Sequence, residues 1–205
     1  EGTLGTVQLN PLWNDATLGY GGGDDCQGRD PCTHADVMWL RHNYASNSRH
    51  TVARTAYAGV GDGGGSISIV GTFYPTAPSY TIYVGQPLNK MGRTTGWTSG
   101  VVIESCLFYD FPPKTVPCTH KAGMRSGQGD SGAPVFHYAS GTSIMPLGLL
   151  WGGPDLADVG QYGVRTDPDG SKYCTANCFI LFADFVRIEM HLRAAYGSIN
   201  PAYIP

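Results

Sequence analysis

One segment of this sequence is more informative than any other: Ser126-Gly127-Gln128-Gly129-Asp130-Ser131-Gly132-Ala133-Pro134-Val135-Phe136. A serine hydroxyl is a poor nucleophile until a base removes its proton, and the oxyanion formed on attack needs donors already aimed at it. The glycines allow a tight turn in which the backbone amides of Gly129 and Ser131 point at one spot and leave room for a substrate. The segment predicts a nucleophile at Ser131 with an oxyanion hole made by those amides, although on its own it is also compatible with a plain loop.

The composition favours an all-β globular protein. The 205 residues include 41% apolar residues, 29 glycines and 14 prolines but only 14% charged residues, so the chain is rich in turns and poor in long solvated helices. Short β-prone runs bounded by turn residues recur at 5–9, 36–40, 66–70, 80–84, 100–104, 134–137 and 144–151. A net charge of −3 without a basic stripe argues against nucleic-acid partners, and no apolar run is long enough for a membrane span.

The C-terminal region has helical periodicity. Apolar residues recur there at three- and four-residue steps: Leu181, Phe185, Ile188, Leu192 and Tyr196. This spacing predicts an amphipathic helix that stops at Gly197. A long series of short strands followed by one helix fits a double β-barrel with a C-terminal α-helix. We expect residues 1–85 to form part of the first barrel and residues 86–205 to form the second barrel with the helix.

The six cysteines fall into three close pairs: Cys26 and Cys32, Cys106 and Cys118, Cys174 and Cys178. Each pair closes a short loop. Metal binding is the alternative, but the sequence has no Cys-x-x-Cys motif and no histidine at zinc-finger spacing from these pairs. We expect three disulfides, no metal site and an oxidising compartment, most simply the extracellular space after secretion.

Two further motifs flank the serine segment: Met91-Gly92-Arg93-Thr94-Thr95-Gly96-Trp97-Thr98-Ser99-Gly100 and Pro146-Leu147-Gly148-Leu149-Leu150-Trp151-Gly152-Gly153. Together the three motifs resemble, over about residues 86–195, the second barrel of bacterial secreted trypsin-like proteases, the streptogrisin-type branch of the chymotrypsin family. The resemblance implies a chymotrypsin-like double β-barrel. It also implies a serine endopeptidase that acts on peptide or protein substrates and needs no metal or organic cofactor.

The resemblance assigns further roles in the second barrel. It places five residues in the substrate pocket: Arg125, Ser126, Leu150, Trp151 and Gly152. It gives Asp130 the role of a buried carboxylate that supports the oxyanion loop by pairing with a cation, either Arg93 or the chain terminus. Family members that cleave after basic residues carry an acidic residue about six positions before the serine, and Met124-Arg125-Ser126 has none. Arg125 then either favours an acidic substrate side chain or points outward.

The first half resembles the family more thinly. The segment His34-Ala35-Asp36-Val37-Met38-Trp39-Leu40 is similar to the strand that carries the aspartate of the catalytic triad, which makes Asp36 the candidate. Its role would be to accept a hydrogen bond from the catalytic imidazole and to stabilise its protonated form. The alternative is that Asp36 only ends a strand.

The catalytic histidine is missing from its expected place. In this family it is followed by Cys and precedes the aspartate, but the sequence has no His-Cys pair, and His34 is too close to Asp36 to bridge it to Ser131. The opening residues, 1–11, resemble the stretch that follows His-Cys. We therefore expect the histidine on a cleaved N-terminal segment that stays bound as a separate chain, without a covalent link because all six cysteines can pair internally. The alternatives are a pseudoprotease that serves as a binding or structural module, and a different hydrolase with another base.

Overall fold

The computed structural model describes the backbone of residues 5–9, 39–42, 51–57, 67–111 and 114–196, and the side chains of 51–57, 67–110 and 115–190. The predicted triad residue Asp36 and the predicted Cys26–Cys32 disulfide lie outside these ranges, as does His34. No helix in the described ranges combines the length and the apolar character needed to cross a bilayer.

Twelve strands and two helices make up the described chain. The strands are β1 Gly5–Leu9, β2 Trp39–His42, β3 Val52–Thr55, β4 Ile69–Pro75, β5 Pro87–Gly92, β6 Gly96–Phe111, β7 Lys114–Gly123, β8 Pro134–Ser140, β9 Ser143–Gly152, β10 Arg165–Thr166, β11 Lys172–Tyr173 and β12 Ile180–Asp184. The helices are α1 Val159–Tyr162 and α2 Phe185–Tyr196. The predicted all-β architecture with a C-terminal helix is confirmed.

Six strands close into a barrel. Their order is β12-β7-β6-β5-β8-β9, and β12 also pairs with β9, which joins the two ends. All these pairings are antiparallel, so short connections suffice between most neighbours. Outside the barrel, β4 pairs in parallel with β9 and antiparallel with β3, while β1 and β2 form a separate antiparallel pair.

Alternate side chains of the closed strands fill the barrel. The apolar core consists of Leu88, Val102, Ala122, Met124, Ala133, Val135, Leu147, Leu150, Ile180 and Phe182, all buried. Burying each large side chain of this kind contributes about 1.5–3 kcal/mol. A second cluster, Phe73, Met91, Phe136 and Ile144, attaches β4 to the outside of the barrel. There the Phe73 ring meets the Trp97 ring edge-on, with centroids 4.9 Å apart.

The start of the C-terminal helix differs from the sequence expectation. Leu181 belongs to β12, where it pairs with Lys121 of β7 and with Gly152 of β9, and α2 begins only at Phe185. The reason is a side-chain cap: Oδ1 of Asp184 accepts the backbone amide of Arg187 at 2.8 Å. Leu181, which helical spacing alone would add to the helix, therefore lies in the strand that closes the barrel.

Two of the three expected disulfides lie in the described ranges, and both are confirmed. Cys106 on β6 is bonded to Cys118 on β7, and Cys174 is bonded to Cys178 in the loop before β12. Both half-cystines of the first bridge have positive φ, 57° at Cys106 and 51° at Cys118. Residues with a side chain rarely adopt this left-handed region.

Candidate active site

Ser131 lies exposed at the tip of a tight turn between β7 and β8. The turn depends on glycine on both sides, because φ is 88° at Gly129 and 83° at Gly132. Its base is fixed to β9, since the amide of Gly132 donates to the Leu150 carbonyl at 2.7 Å. The serine is thus presented to solvent by a backbone that is anchored to the barrel.

The backbone amides of this turn divide into two groups. The amide of Asp130 donates to the Gly127 carbonyl at 3.1 Å, and the amide of Ala133 donates to the Asp130 carbonyl at 2.9 Å. By contrast, the amides of Gly129 and Ser131, which the sequence proposed for the oxyanion hole, have no acceptor among the described residues. Two unsatisfied donors beside an exposed hydroxyl are what a developing oxyanion requires.

The Asp130 carboxylate is buried beneath the turn and fully hydrogen-bonded. Its Oδ2 accepts from Lys90 Nζ at 2.9 Å, from Thr95 Oγ1 at 2.6 Å and from the Gly127 amide at 3.1 Å. Its Oδ1 accepts the amides of Thr94 at 2.8 Å and Thr95 at 3.2 Å. The carboxylate therefore ties the residue next to Ser131 to the β5–β6 connection and to Gly127.

The cation that pairs with Asp130 is Lys90 on β5. Both side chains are 0% exposed, and Lys90 Nζ also donates to Thr95 Oγ1. Arg93, one of the two partners expected from the sequence, points away: it pairs at 3.0 Å with Asp169, and both of these side chains are at least half exposed. The difference arises because Lys90 shares the inward face of β5 with Leu88, which is also 0% exposed.

Burial lowers the pKa of Lys90, and the charge of Arg125 lowers it further, while the charge and hydrogen bond of Asp130 oppose the shift. Desolvation is the largest of these effects. The ammonium group beneath the Ser131 turn is consequently easier to deprotonate than that of an exposed lysine.

A cavity of about 200 Å³ opens beside Ser131. Its lining consists of Ser126, Gly127, Gln128, Ser131, Leu150, Gly152, Gly153, Pro154, Asp155 and Leu156. The structure therefore brings three of the five residues proposed for the substrate pocket to the wall of this cavity. The hydroxyl of Ser126 donates to the Phe179 carbonyl at 3.0 Å, which fixes that side chain within the wall.

The other two residues proposed for the pocket are not in its lining. The ring of Trp151 packs against Tyr109, with centroids 5.5 Å apart. Arg125 does not point outward, because only 7% of the residue is exposed, and its charge is close enough to affect Lys90. Arg125 is therefore a buried residue outside the cavity lining.

Comparison with solved structures identifies the architecture. By sequence, the chain matches no protein-family model and no curated protein. By structure, 80% of it superposes on Thermobifida fusca protease A (18% identity, TM-score 0.51) and on Cellulomonas bogoriensis chymotrypsin (18%, 0.51). It superposes equally on a serine protease described as glutamic acid specific and as using a histidine triad in substrate binding (19%, 0.52). This chain has the chymotrypsin-like fold. It spans about two thirds of the length of these proteases, covering 67%, 68% and 66% of them respectively.

Within the chymotrypsin-like fold, the described residues supply no base for Ser131. His120 and His137 are the histidines whose side chains are described, and both bond elsewhere: His120 Nε2 lies 2.9 Å from Asp184 Oδ2, and His137 Nδ1 lies 3.4 Å from the Pro87 carbonyl oxygen. The Ser131 hydroxyl has no hydrogen-bond partner in the described part of the chain. The described residues thus bring together the turn, the buried ion pair and the cavity.

Sequence reasoning missed Lys90 as the partner of Asp130. A signal for it existed, since Lys90 follows Leu88 at a two-residue step and therefore lies on the same face of β5 as that apolar residue. A buried lysine needs a carboxylate partner. The partner, Asp130, is 40 residues away in sequence, so the fold was needed to identify it.

Proposed function

We propose that this chain is the major part of a secreted serine endopeptidase that cleaves peptide bonds through an acyl-enzyme on Ser131. The observation that carries the proposal is the exposed Ser131 beside a cavity, on a turn whose Gly129 and Ser131 amides lack acceptors in the described chain. The fully hydrogen-bonded Asp130 beneath it supports the same role. Burying a carboxylate and an ammonium group costs desolvation free energy, so this ion pair is better explained by its role in holding the turn than by stability alone.

The proposed reaction has two steps. Ser131 Oγ attacks the carbonyl carbon of the scissile peptide while a histidine accepts its proton, and the oxyanion is bound by the Gly129 and Ser131 amides. The histidine then passes that proton to the leaving amine, and the acyl-enzyme forms. In the second step the same histidine deprotonates a water that attacks the ester, and it then returns this proton to Ser131 Oγ as the ester bond breaks and the carboxylic acid leaves. Asp36 would hold the imidazole in the required tautomer.

We further propose that the histidine comes from a separate, non-covalently bound N-terminal chain released by proteolytic processing. The sequence supports this because it contains no His-Cys pair before Asp36. The Cys106–Cys118 and Cys174–Cys178 disulfides support secretion, since such bonds persist in oxidising compartments.

A pseudoprotease is the second candidate. The observation in its favour is that the Ser131 hydroxyl has no partner among the described residues, while His120 and His137 are engaged elsewhere. In that case the cavity would bind a peptide without cleaving it.

Labelling with a fluorophosphonate distinguishes the two candidates, because this reagent reacts only with an activated serine. We expect the protein isolated from its source to carry one adduct, which peptide mapping locates on Ser131. The Ser131→Ala variant is the matched control and should remain unlabelled. A folded wild-type protein that also stays unlabelled would establish the pseudoprotease.

A further inference from the structure

A second group of buried polar side chains lies where β7 and β12 meet. Cys118 and His120 occupy alternate positions of β7, and Asp184 ends β12. One ligand atom from each of the three lies within 4.8 Å of the others, and all three residues are buried. Cys106 on β6 joins them through its disulfide to Cys118. One sulfur, an imidazole and a carboxylate therefore lie close together, and the second sulfur is bonded to the first.

The imidazole and the carboxylate are held by hydrogen bonds. His120 Nε2 lies 2.9 Å from Asp184 Oδ2, and His120 Nδ1 accepts the Cys106 amide at 3.4 Å and lies 3.1 Å from the Ser105 hydroxyl. In the oxidised protein Nε2 therefore carries the ring proton and donates it to Asp184, whose other oxygen accepts the Arg187 amide at 2.8 Å. A metal bound through Nε2 requires the proton on Nδ1 instead, where the Ser105 hydroxyl is placed to accept it, as metal-binding histidines commonly donate their second ring N–H to an oxygen.

The disulfide within this group is exposed to reductants. Cys106 is exposed, whereas Cys118 is buried. Both residues have left-handed backbone conformations, with φ of 57° and 51°, which are unfavourable for a residue with a side chain. Strained or exposed disulfides are the ones that exchange readily with thiols.

We propose that reduction of the Cys106–Cys118 disulfide converts this group into a zinc site with the ligands Cys106, Cys118, His120 and Asp184. A thiol reductant supplies two electrons and two protons: the S–S bond breaks, two cysteine thiols form, and the reductant becomes a disulfide. Zn²⁺ then binds both sulfurs as thiolates, His120 through Nε2 and Asp184 through Oδ2, and two protons are released.

The ligand set and its dimensions suit zinc. Thiolate, imidazole and carboxylate are its usual protein ligands, and tetrahedral coordination holds the ligand atoms roughly 3.3–3.8 Å apart. The ligand atoms of Cys118, His120 and Asp184 start within 4.8 Å of one another, so a contraction on the order of 1 Å brings these three to zinc-ligand spacing, and the Cys106 sulfur starts from its bond to Cys118. The disulfide and the metal are therefore alternative links between the β6–β7 hairpin and β12, used in oxidising and reducing surroundings respectively.

The test is titration of the full-length protein, reduced with a phosphine and desalted without oxygen, with Co²⁺ as a spectroscopic probe and then with Zn²⁺. We expect one Co²⁺ per chain with a thiolate-to-cobalt charge-transfer band and tetrahedral visible bands, both lost when Zn²⁺ displaces the cobalt. The oxidised protein should show neither. Substitution Cys174→Ser with Cys178→Ser should leave the bands intact, because that pair lies outside the site.

Three results would overturn the proposal. The first is the absence of a charge-transfer band in the reduced protein, including the case in which reduction unfolds the chain and Zn²⁺ does not restore its circular dichroism. The second is a band that survives substitution of Cys106 and Cys118 by Ser, which would assign it to other cysteines. The third is unchanged affinity in the variant His120→Asn with Asp184→Asn, for which we expect a loss of more than about tenfold.

Discussion

Replacement of Lys90 by Met tests the buried ion pair beneath the Ser131 turn. Lys90 Nζ and Asp130 Oδ2 are 2.9 Å apart, and both side chains are 0% exposed. At an effective dielectric constant of about 20, Coulomb's law gives roughly 6 kcal/mol of attraction at this distance. Removing one partner leaves a buried charge without compensation, so we expect Lys90→Met to lower the free energy of unfolding by about 3–5 kcal/mol.

The assay is a double-mutant cycle measured by guanidinium unfolding. Asp130→Asn alone and Lys90→Met alone should each be strongly destabilising, whereas the double variant should be less destabilised than their sum by about 2 kcal/mol or more. Arg93→Met is the matched control, because it removes an exposed ion pair and should cost less than about 1 kcal/mol. Additive effects at the buried pair, or a Lys90→Met cost no larger than that of the control, would refute the reasoning.

Two further predictions concern the same region. Because burial lowers the pKa of Lys90, we expect fluorophosphonate labelling of Ser131 to fall as pH rises through that pKa, since neutral Lys90 no longer balances Asp130. Between the lowered pKa of folded Lys90 and the higher pKa of an unfolded lysine, the unfolded chain binds more protons than the folded one. This group alone therefore raises the free energy of unfolding as pH rises, and labelling should be lost while the protein stays folded. Loss of labelling together with unfolding would contradict the account. In Gly92→Ala the new Cβ would overlap the Asp130 carboxylate, so we expect the free energy of unfolding to fall by about 1–3 kcal/mol in the same unfolding assay. Gly123→Ala is the control: the nearest atom to its new Cβ is 3.7 Å away, and it should lower the free energy of unfolding by less than about 0.5 kcal/mol.

Strands with regular alternation were predictable from the sequence. The runs 5–9, 134–137 and 144–151 coincide with, or fall within, β1, β8 and β9. The predicted strand at 80–84 is wrong: these residues form a loop, and Tyr80, Tyr83 and Val84 are more than half exposed. β-propensity reflects packing against neighbours, and among the described strands none forms a ladder with these residues.

For two other strands, β7 and β12, the local sequence pattern is too weak to predict the conformation. β7 contains Pro117 and several polar residues, and its pairing with β6 shifts register three times, so it shows little alternation in sequence. Leu181 of β12 continues the helical spacing, so the sequence pattern alone predicts the start of a helix there. Only its pairing with both β7 and β9, which closes the barrel, determines its conformation.

The candidate site divides in the same way. The Ser131 turn is local, so its glycines and its exposed serine could be proposed from one continuous segment. The cation beneath it is distant in sequence, since Lys90 reaches Asp130 across 40 positions. The separate pair of His120 and Asp184 is likewise 64 positions apart. Charge and hydrogen-bonding capacity alone do not select among several possible partners that are distant in sequence. Arg93 was one expected partner of Asp130, but the structure pairs Asp130 with Lys90.

The most direct measurement of the central claim is denaturing intact-mass analysis of the protein isolated from its source after fluorophosphonate treatment. The account predicts two polypeptides: this chain, heavier by one adduct on Ser131, and a smaller chain that contains a His-Cys pair. A single, unmodified polypeptide from folded material would contradict it.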